Sequence, residues 1–217
     1  KGQEAGLYNG ANAMSMMQTA EGAFDEMTNI AYRMKELATQ GASDANGAAE
    51  WVAQSAEYKA LKDEMTSIMT NTSFGGEALL TGGKFAAAVD FQVGSSATET
   101  LNVDITTSLT AVNPASLADA FTTVATAQTE IGVVDTIIGA IGTARSALGA
   151  SMNRLEHTMT NVTNMKENTQ AAAGTLMDAD FAAETSNMTK QQLLMNSGIS
   201  VLSTANSTTQ MIGSLLR

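Results

Sequence analysis

DADFAAETSNMTKQQLLMNSGISVLSTANSTTQMIGSLLR, residues Asp178 to Arg217, is the stretch whose reading decides the fold. No charged side chain lies between Gln191 and Leu216, yet the run holds too much Ser, Thr, Asn and Gln for a membrane span. Phe181, Met188, Met195 and Leu202 recur at every seventh position, beside a second row of Leu194, Val201, Thr208 and Leu215. Ile199, Ala205 and Ile212 widen the stripe. A seven-residue recurrence marks a helix that packs against other helices. The polar residues between the rows are small and neutral, which suits a helix with neighbours on several sides, whereas a helix lying on one domain carries a charged outer face. Burying one Leu or Ile side chain stabilises by roughly 1.5–3 kcal/mol, so a stripe of this length is more apolar surface than a monomer leaves open. The sequence therefore predicts an assembly helix over about 174–217, partnered by another copy of the chain or by another protein.

The rest of the composition fits a helical partner for it. The chain has 217 residues with 14 Met, one Pro and no Cys. That length allows one elongated or two small domains. The single Pro favours long helices, and the lack of Cys removes a disulfide framework and a thiol nucleophile. A net charge of −11 argues against nucleic-acid binding through phosphate contacts.

From Ala13 the apolar residues step by three and four through Met17, Ala20, Phe24, Met27, Ala31, Met34 and Ala38. Gly41, Ser43, Asp44, Asn46 and Gly47 interrupt the pattern with turn formers. A second stripe then runs through Trp51, Tyr58, Leu61, Met65 and Ile68, so the two segments predict an antiparallel helical pair. Val89, Phe91 and Val93 alternate, as do Leu101, Val103 and Ile105, and Gly94-Ser-Ser between them predicts a β-hairpin with one buried face. After the Asn113-Pro-Ala-Ser116 turn, Ile131, Val134, Ile138, Ile141, Leu148, Met152, Leu155, Met159 and Val162 predict a third helix. Arg145 falls on its inward side and is expected to snorkel or to meet a carboxylate. The predicted class is mainly α: an elongated antiparallel helical bundle of coiled-coil type with a β-hairpin subregion and a C-terminal assembly helix. Its core domain is expected over residues 1–173, with helices over about 5–42, 48–72 and 116–170 and the hairpin region over about 75–110; the assembly helix follows over 174–217.

The residues also carry a family resemblance. Asp178-Ala-Asp-Phe-Ala-Ala-Glu184, Asn187-Met-Thr-Lys190, Gln192-Leu-Leu194, Val201-Leu202, Ala205-Asn206 and Leu215-Leu216-Arg217 resemble the C-terminal segment of bacterial flagellin. Gln18-Thr-Ala-Glu-Gly-Ala23 with Arg33-Met-Lys-Glu-Leu37 resembles a flagellin core helix. Phe74-Gly-Gly-Glu-Ala-Leu-Leu80 and Phe91-Gln-Val-Gly94 resemble the segment that leaves the next helix and folds back as a hairpin, and Ala144-Arg-Ser-Ala-Leu-Gly149 with Asn153-Arg154 resembles the long helix before the terminal one. One stretch departs: Gln170 to Gly174 is built of small residues where flagellins usually have an Arg-rich sequence.

The resemblance implies a secreted, extracellular structural subunit of the bacterial flagellar filament, self-assembling through its terminal helices for motility. It implies a compact flagellin without large variable outer domains, lacking before Lys1 the N-terminal stretch that pairs with the C-terminal helix. Its implied partners are other subunits in a helical homopolymer, the flagellar export chaperone, the filament cap and junction proteins, and the host's flagellin-sensing Toll-like receptor. The assembly and chaperone anchors it points to are Phe181, Met188, Leu193, Leu194, Met195, Val201, Leu202, Ile212, Leu215 and Leu216. The matching receptor positions are Arg33, Leu37 and Glu57; the alternative for these three is a surface ion pair with Leu37 edging the core. A different functional class is a cell-surface homologue that binds a polysaccharide or a host receptor, which calls for exposed aromatic platforms, and beyond the Phe residues only Tyr8, Tyr32, Trp51 and Tyr58 are candidates, most of them at core-stripe positions.

An enzyme needs a constellation that the sequence does not offer. His157, the lone histidine, reads as a helix-flank residue, no His-Glu-x-x-His occurs, and Gly82-Gly83 lacks the Lys and Ser/Thr of a phosphate loop. Asp178, Asp180 and Glu184 are expected to cap a helix start rather than bind metal. No catalytic residue, metal or cofactor is expected, and no membrane insertion.

Overall fold

The structure is a computed structural model that describes residues 1–215, without the side chains of residues 179, 180 and 215. By its contacts the chain divides into two units, Lys1–Asn164 and Met165–Arg217. The first unit contains α1 (Gly2–Gly41), α2 (Ala48–Asn71), the paired strands β1 (Ser73–Phe74) and β2 (Glu77–Ala78), β3 (Val89–Gln92) and β4 (Thr100–Val103), a short α3 (Thr106–Ala111) and the beginning of α4 (Val124–Leu215). The second unit is the remainder of α4.

The stripe on α1 is the centre of the core. Met17, Ala20, Phe24, Met27, Ala31, Met34 and Ala38 are fully buried. Two helices cover it. The start of α2 lies against the end of α1, where Trp51 Nε1 donates to the Gly41 carbonyl (2.9 Å), and Arg33 meets Glu57 farther along. The pair is therefore antiparallel. α4 is also antiparallel to α1, because Lys35 pairs with Asp135 (2.7 Å), Glu21 with Arg145 (2.7 Å), and Gly10 lies under Leu155 and Met159. The buried side of α4 steps through Ala127, Glu130, Val134, Ile137, Ile141, Ala144, Leu148, Ser151 and Leu155, alternating three and four as a coiled-coil seam does. Ile131, Ile138, Met152 and Met159, expected at the centre, are partly buried flanks of that seam. Arg145 meets a carboxylate, as its inward position requires.

The turn residues account for the two hairpins. Gly75 and Gly76, at φ 61° and 86°, form the tight turn between β1 and β2, a backbone that residues with a Cβ adopt only with strain. In β3–β4 the register pairs Val89 with Val103 and Phe91 with Leu101. Gln92 Nε2 donates to the carbonyls of Gly94 and Ser96, closing the loop. The hairpin is seated on α1: Asn9 Nδ2 donates to the Gln92 carbonyl (3.1 Å), and a Cβ on Gly6 would stand 2.6 Å from the Val93 oxygen.

The connection from β4 to α4 differs from the expected helix over about 116–170. Residues 117–123 are not helical and α4 starts at Val124. Phe121 reaches the core beside Gly41 and Tyr58, and its backbone is held by Ser55, whose Oγ donates to the Phe121 carbonyl and accepts from its N–H (both 3.0 Å). Thr123 Oγ1 then accepts from Thr126 N–H, an N-cap bond at the start of α4. The helix α3 before this connection was not expected; Asp104 Oδ1 accepts from both the N–H and the hydroxyl of Thr106, which starts it.

Candidate functional site

In the second unit, α4 displays large apolar side chains with nothing of its own unit to cover them. Phe181, Met188, Leu193, Leu194, Met195, Val201, Leu202 and Ile212, all expected assembly positions, are between 54% and 72% exposed. Leu176, Met177, Ile199 and Met211 are exposed with them. At about 100° per residue, Met177, Phe181, Met188, Met195, Ile199 and Leu202 fall on one strip of the helix and Leu176, Leu194, Val201 and Ile212 on an adjacent one. Leu176 and Met177 went unnoticed in the sequence because the reading began at Asp178, although Leu176 stands five helical turns before Leu194. Leu215 ends the described helix, and Leu216 lies outside the described residues.

The acidic cluster near Asp178 does not begin a helix. α4 is helical on both sides of it, so there are no free N–H groups for Asp178 to cap. The Ala-rich run before it, Ala171-Ala-Ala173, is a strong helix former, and the helix continues through it.

Arg33, Leu37 and Glu57 separate into two environments. Arg33 Nε and Nη2 both approach Glu57 Oε1 (2.8 and 2.7 Å), while Nη1 donates to Glu36 Oε2 (2.6 Å), all at the surface. Hydrogen bonds to Glu36, then Glu57, raise the guanidinium pKa further above its ordinary value. Leu37 is 2% exposed and belongs to the core. It edges no surface patch that Arg33 and Glu57 share.

A polar cluster missed by the sequence reading lies inside the first unit. The Tyr58 hydroxyl donates to Glu130 Oε2 (2.7 Å), which also accepts from Ala118 N–H (3.1 Å). Burial, and then the bond to Glu130, push the Tyr58 phenol well above its ordinary range. Together with Ser55 it anchors the 117–123 connection to α2 and α4. Its role is structural: Ser55, Tyr58 and Glu130 are buried and their hydrogen bonds run to the 117–123 connection and to one another. Among the described residues no group of three metal-ligating side chains converges, and His157 is on the surface. By length and composition alone, one 18-residue window of α4 passes for a membrane span, at mean hydropathy 1.3. The packed seam from Val134 to Leu155 explains the hydropathy of the first unit's part of the helix.

A long helix antiparallel to two others, small antiparallel hairpins and a helix with two exposed apolar strips define a mainly α protein of coiled-coil type. Residues 2–84 match the family model of the bacterial flagellin N-terminal helical region, and residues 131–216 that of the C-terminal helical region. A flagellin of Halalkalibacterium halodurans is 35% identical over the whole chain, with 79% of that protein covered. Flagellin A of Vibrio cholerae is 42% identical over 106 residues, which are 49% of this chain and 27% of that protein. The crystal structure of Bacillus cereus flagellin superposes with a TM-score of 0.61 at 31% identity, covering 76% of this chain and 94% of that one. At 14% identity, a putative flagellar hook-associated protein from Vibrio parahaemolyticus shares the fold, with a TM-score of 0.64 over 80% of this chain.

The chain belongs to the bacterial flagellin family. It is a structural subunit of the flagellar filament, an extracellular homopolymer, and the family to which it belongs is one of structural proteins.

Proposed function

We propose that the subunit polymerises through the two apolar strips of residues 165–215, and that the flagellar export chaperone covers the same strips before assembly. The observation that carries this is the exposure of Leu194 and Leu202, at 63% and 66%, on a stretch with no charged side chain from Gln191 to Leu216. An apolar helical face of this kind lays itself into a groove between other helices. Each such Leu, when covered, contributes roughly 1.5–3 kcal/mol, while the neutral Ser, Thr and Asn between the strips let neighbours approach on several sides. Secretion is proposed with it, the chaperone holding the segment before the subunit leaves the cell. Cap and junction proteins are proposed to meet the filament ends through this face as well. The subunit is read as having no catalytic activity.

Replacing both Leu194 and Leu202 by Asp tests the assignment. Chaperone binding measured by calorimetry and filament growth from seeds are both expected to be lost, with the circular dichroism of the first unit unchanged. Wild-type chaperone affinity or wild-type growth would refute it.

The pair Arg33–Glu57 is proposed to join α1 to α2, with Leu37 as core beneath it. A Toll-like receptor that reads these positions meets Arg33 and Glu57 already paired to one another. In a receptor-reporter assay on depolymerised subunits, signalling that survives Arg33→Ala assigns the pair to structure alone, and signalling that is lost assigns it to the receptor.

A further inference from the structure

The methionines of this chain differ in exposure: Met14, Met152 and Met159 are partly buried, and Met165 and Met211, 43% and 62% exposed, lie on other sides of α4 from the strip considered below. Met17, Met27, Met34 and Met65 are fully buried in the first unit. Met177, Met188 and Met195 are 73%, 60% and 64% exposed in the second. Spaced by eleven and seven residues, these three lie within about 20° of one another on the helix, on the strip that also holds Phe181, Ile199 and Leu202. Ala173, Glu184 and Gln191, which flank the strip, are themselves exposed.

We infer that Met177, Met188 and Met195 form an oxidation-sensitive strip that couples filament growth to peroxide. This rests on the reading of residues 165–215 as the polymerisation face. In the unassembled subunit the thioether sulfur attacks one oxygen of hydrogen peroxide. A sulfur–oxygen bond forms as the peroxide oxygen–oxygen bond breaks; the sulfur gives up two electrons, and the second oxygen leaves as water with both protons. The product, a sulfoxide, is polar and chiral where the side chain was apolar and pliable. An isolated helix face tolerates it, because water solvates the new oxygen. A face packed between helices does not, because the oxygen must then be buried without a donor. Assembly and oxidation therefore exclude one another at this strip: neighbours in the filament shield the sulfurs, and subunits oxidised before assembly are rejected. The buried methionines of the first unit stay reduced in either state.

The test treats unassembled protein and preformed filaments with hydrogen peroxide, then reads the oxygen carried by each methionine-containing peptide by mass spectrometry. In the unassembled protein, Met177, Met188 and Met195 are expected to oxidise before Met17, Met27, Met34 and Met65, and in filaments to be protected. Seeded growth of the oxidised protein is expected to fall by about tenfold or more for each sulfoxide carried into the interface. A variant with Met177→Leu, Met188→Leu and Met195→Leu, which preserves volume without an oxidisable sulfur, is scored by its own ratio of treated to untreated growth, expected near one. Uniform oxidation of all the methionines, or equal loss of growth in the variant and the wild type after treatment, overturns the inference and leaves the polymerisation face standing. Oxidation of the strip that proceeds equally fast in filaments overturns the inference and the polymerisation face together.

Discussion

Removing one hydroxyl, in Tyr58→Phe, tests how the first unit holds its long connection. Tyr58 is fully buried, with its ring edge-on to Phe121 at a centroid distance of 5.5 Å and its hydroxyl on Glu130. The Phe ring keeps that packing, so the loss is confined to the hydrogen bond and leaves Glu130 with only Ala118 N–H from the cluster. Shortening a buried acceptor by one donor costs about 1–3 kcal/mol, a large share of the roughly 5–15 kcal/mol that stabilises a domain. The variant also changes the alkaline limb. The unfolded phenol titrates near its ordinary value of 10.0, whereas burial and Glu130 keep the folded one protonated to higher pH. Above pH 10 the folded state therefore binds more protons than the unfolded state, and the wild type loses stability as pH rises, by up to about 1.4 kcal/mol per pH unit from this group. Below pH 10 Tyr58 holds its proton in both states and contributes no slope. Urea unfolding followed by Trp51 fluorescence, whose indole bonds the Gly41 carbonyl next to Phe121, reads both effects. At pH 7 the midpoint of Tyr58→Phe is expected to fall with an unchanged m-value, and between pH 10 and 11.5 the variant is expected to lose less stability than the wild type. Equal midpoints at pH 7 together with parallel alkaline losses would refute the account of this cluster.

Gly41→Ala sets a methyl group into the ring of Phe121, and is expected to cost about 1–3 kcal/mol, lowering the melting temperature of the first unit in calorimetry by about 2–4 °C per kcal/mol. Arg145→Met keeps the stem packed and removes the links to Glu21 and Asp25; a loss of about 1 kcal/mol or less is expected in urea titration, shrinking as salt is raised from low ionic strength to 1 M. A loss that does not respond to salt would mean that the stem, not the charge, matters. Leu194→Asp with Leu202→Asp leaves the first unit intact and abolishes growth, as argued above, which separates folding from assembly.

The helices were legible where one period governs the chain. The α1 stripe from Met17 to Ala38 is buried residue for residue, because a single helix with one covered side imposes the three-four step on its own sequence. What stayed hidden was set by distant contacts. Residues 117–123 are non-helical, with Ser55, far back in α2, bonding both the N–H and the carbonyl of Phe121, and nothing in the local sequence announces that partner. Glu130 sits on the buried seam of α4, where a carboxylate looks misplaced until Tyr58 and Ala118 are seen to reach it. At Asp178 the expected helix start is absent, because α4 runs unbroken through it, with Ala171, Ala172 and Ala173 among the strongest helix formers just before. Arg33 and Glu57 were placed together correctly by the antiparallel turn, but a four-residue spacing could not reveal that Leu37 turns inward.

The central claim is that the strips over residues 165–215 are open in the subunit and covered by neighbouring subunits in the filament. Electron cryo-microscopy of filaments grown from the protein, at a resolution that places side chains, measures this most directly. The account predicts uniform filaments in which Phe181, Leu194 and Leu202 of each subunit contact helices of other copies. Filaments in which those three side chains face solvent, with subunits joined instead through the first unit, would contradict it.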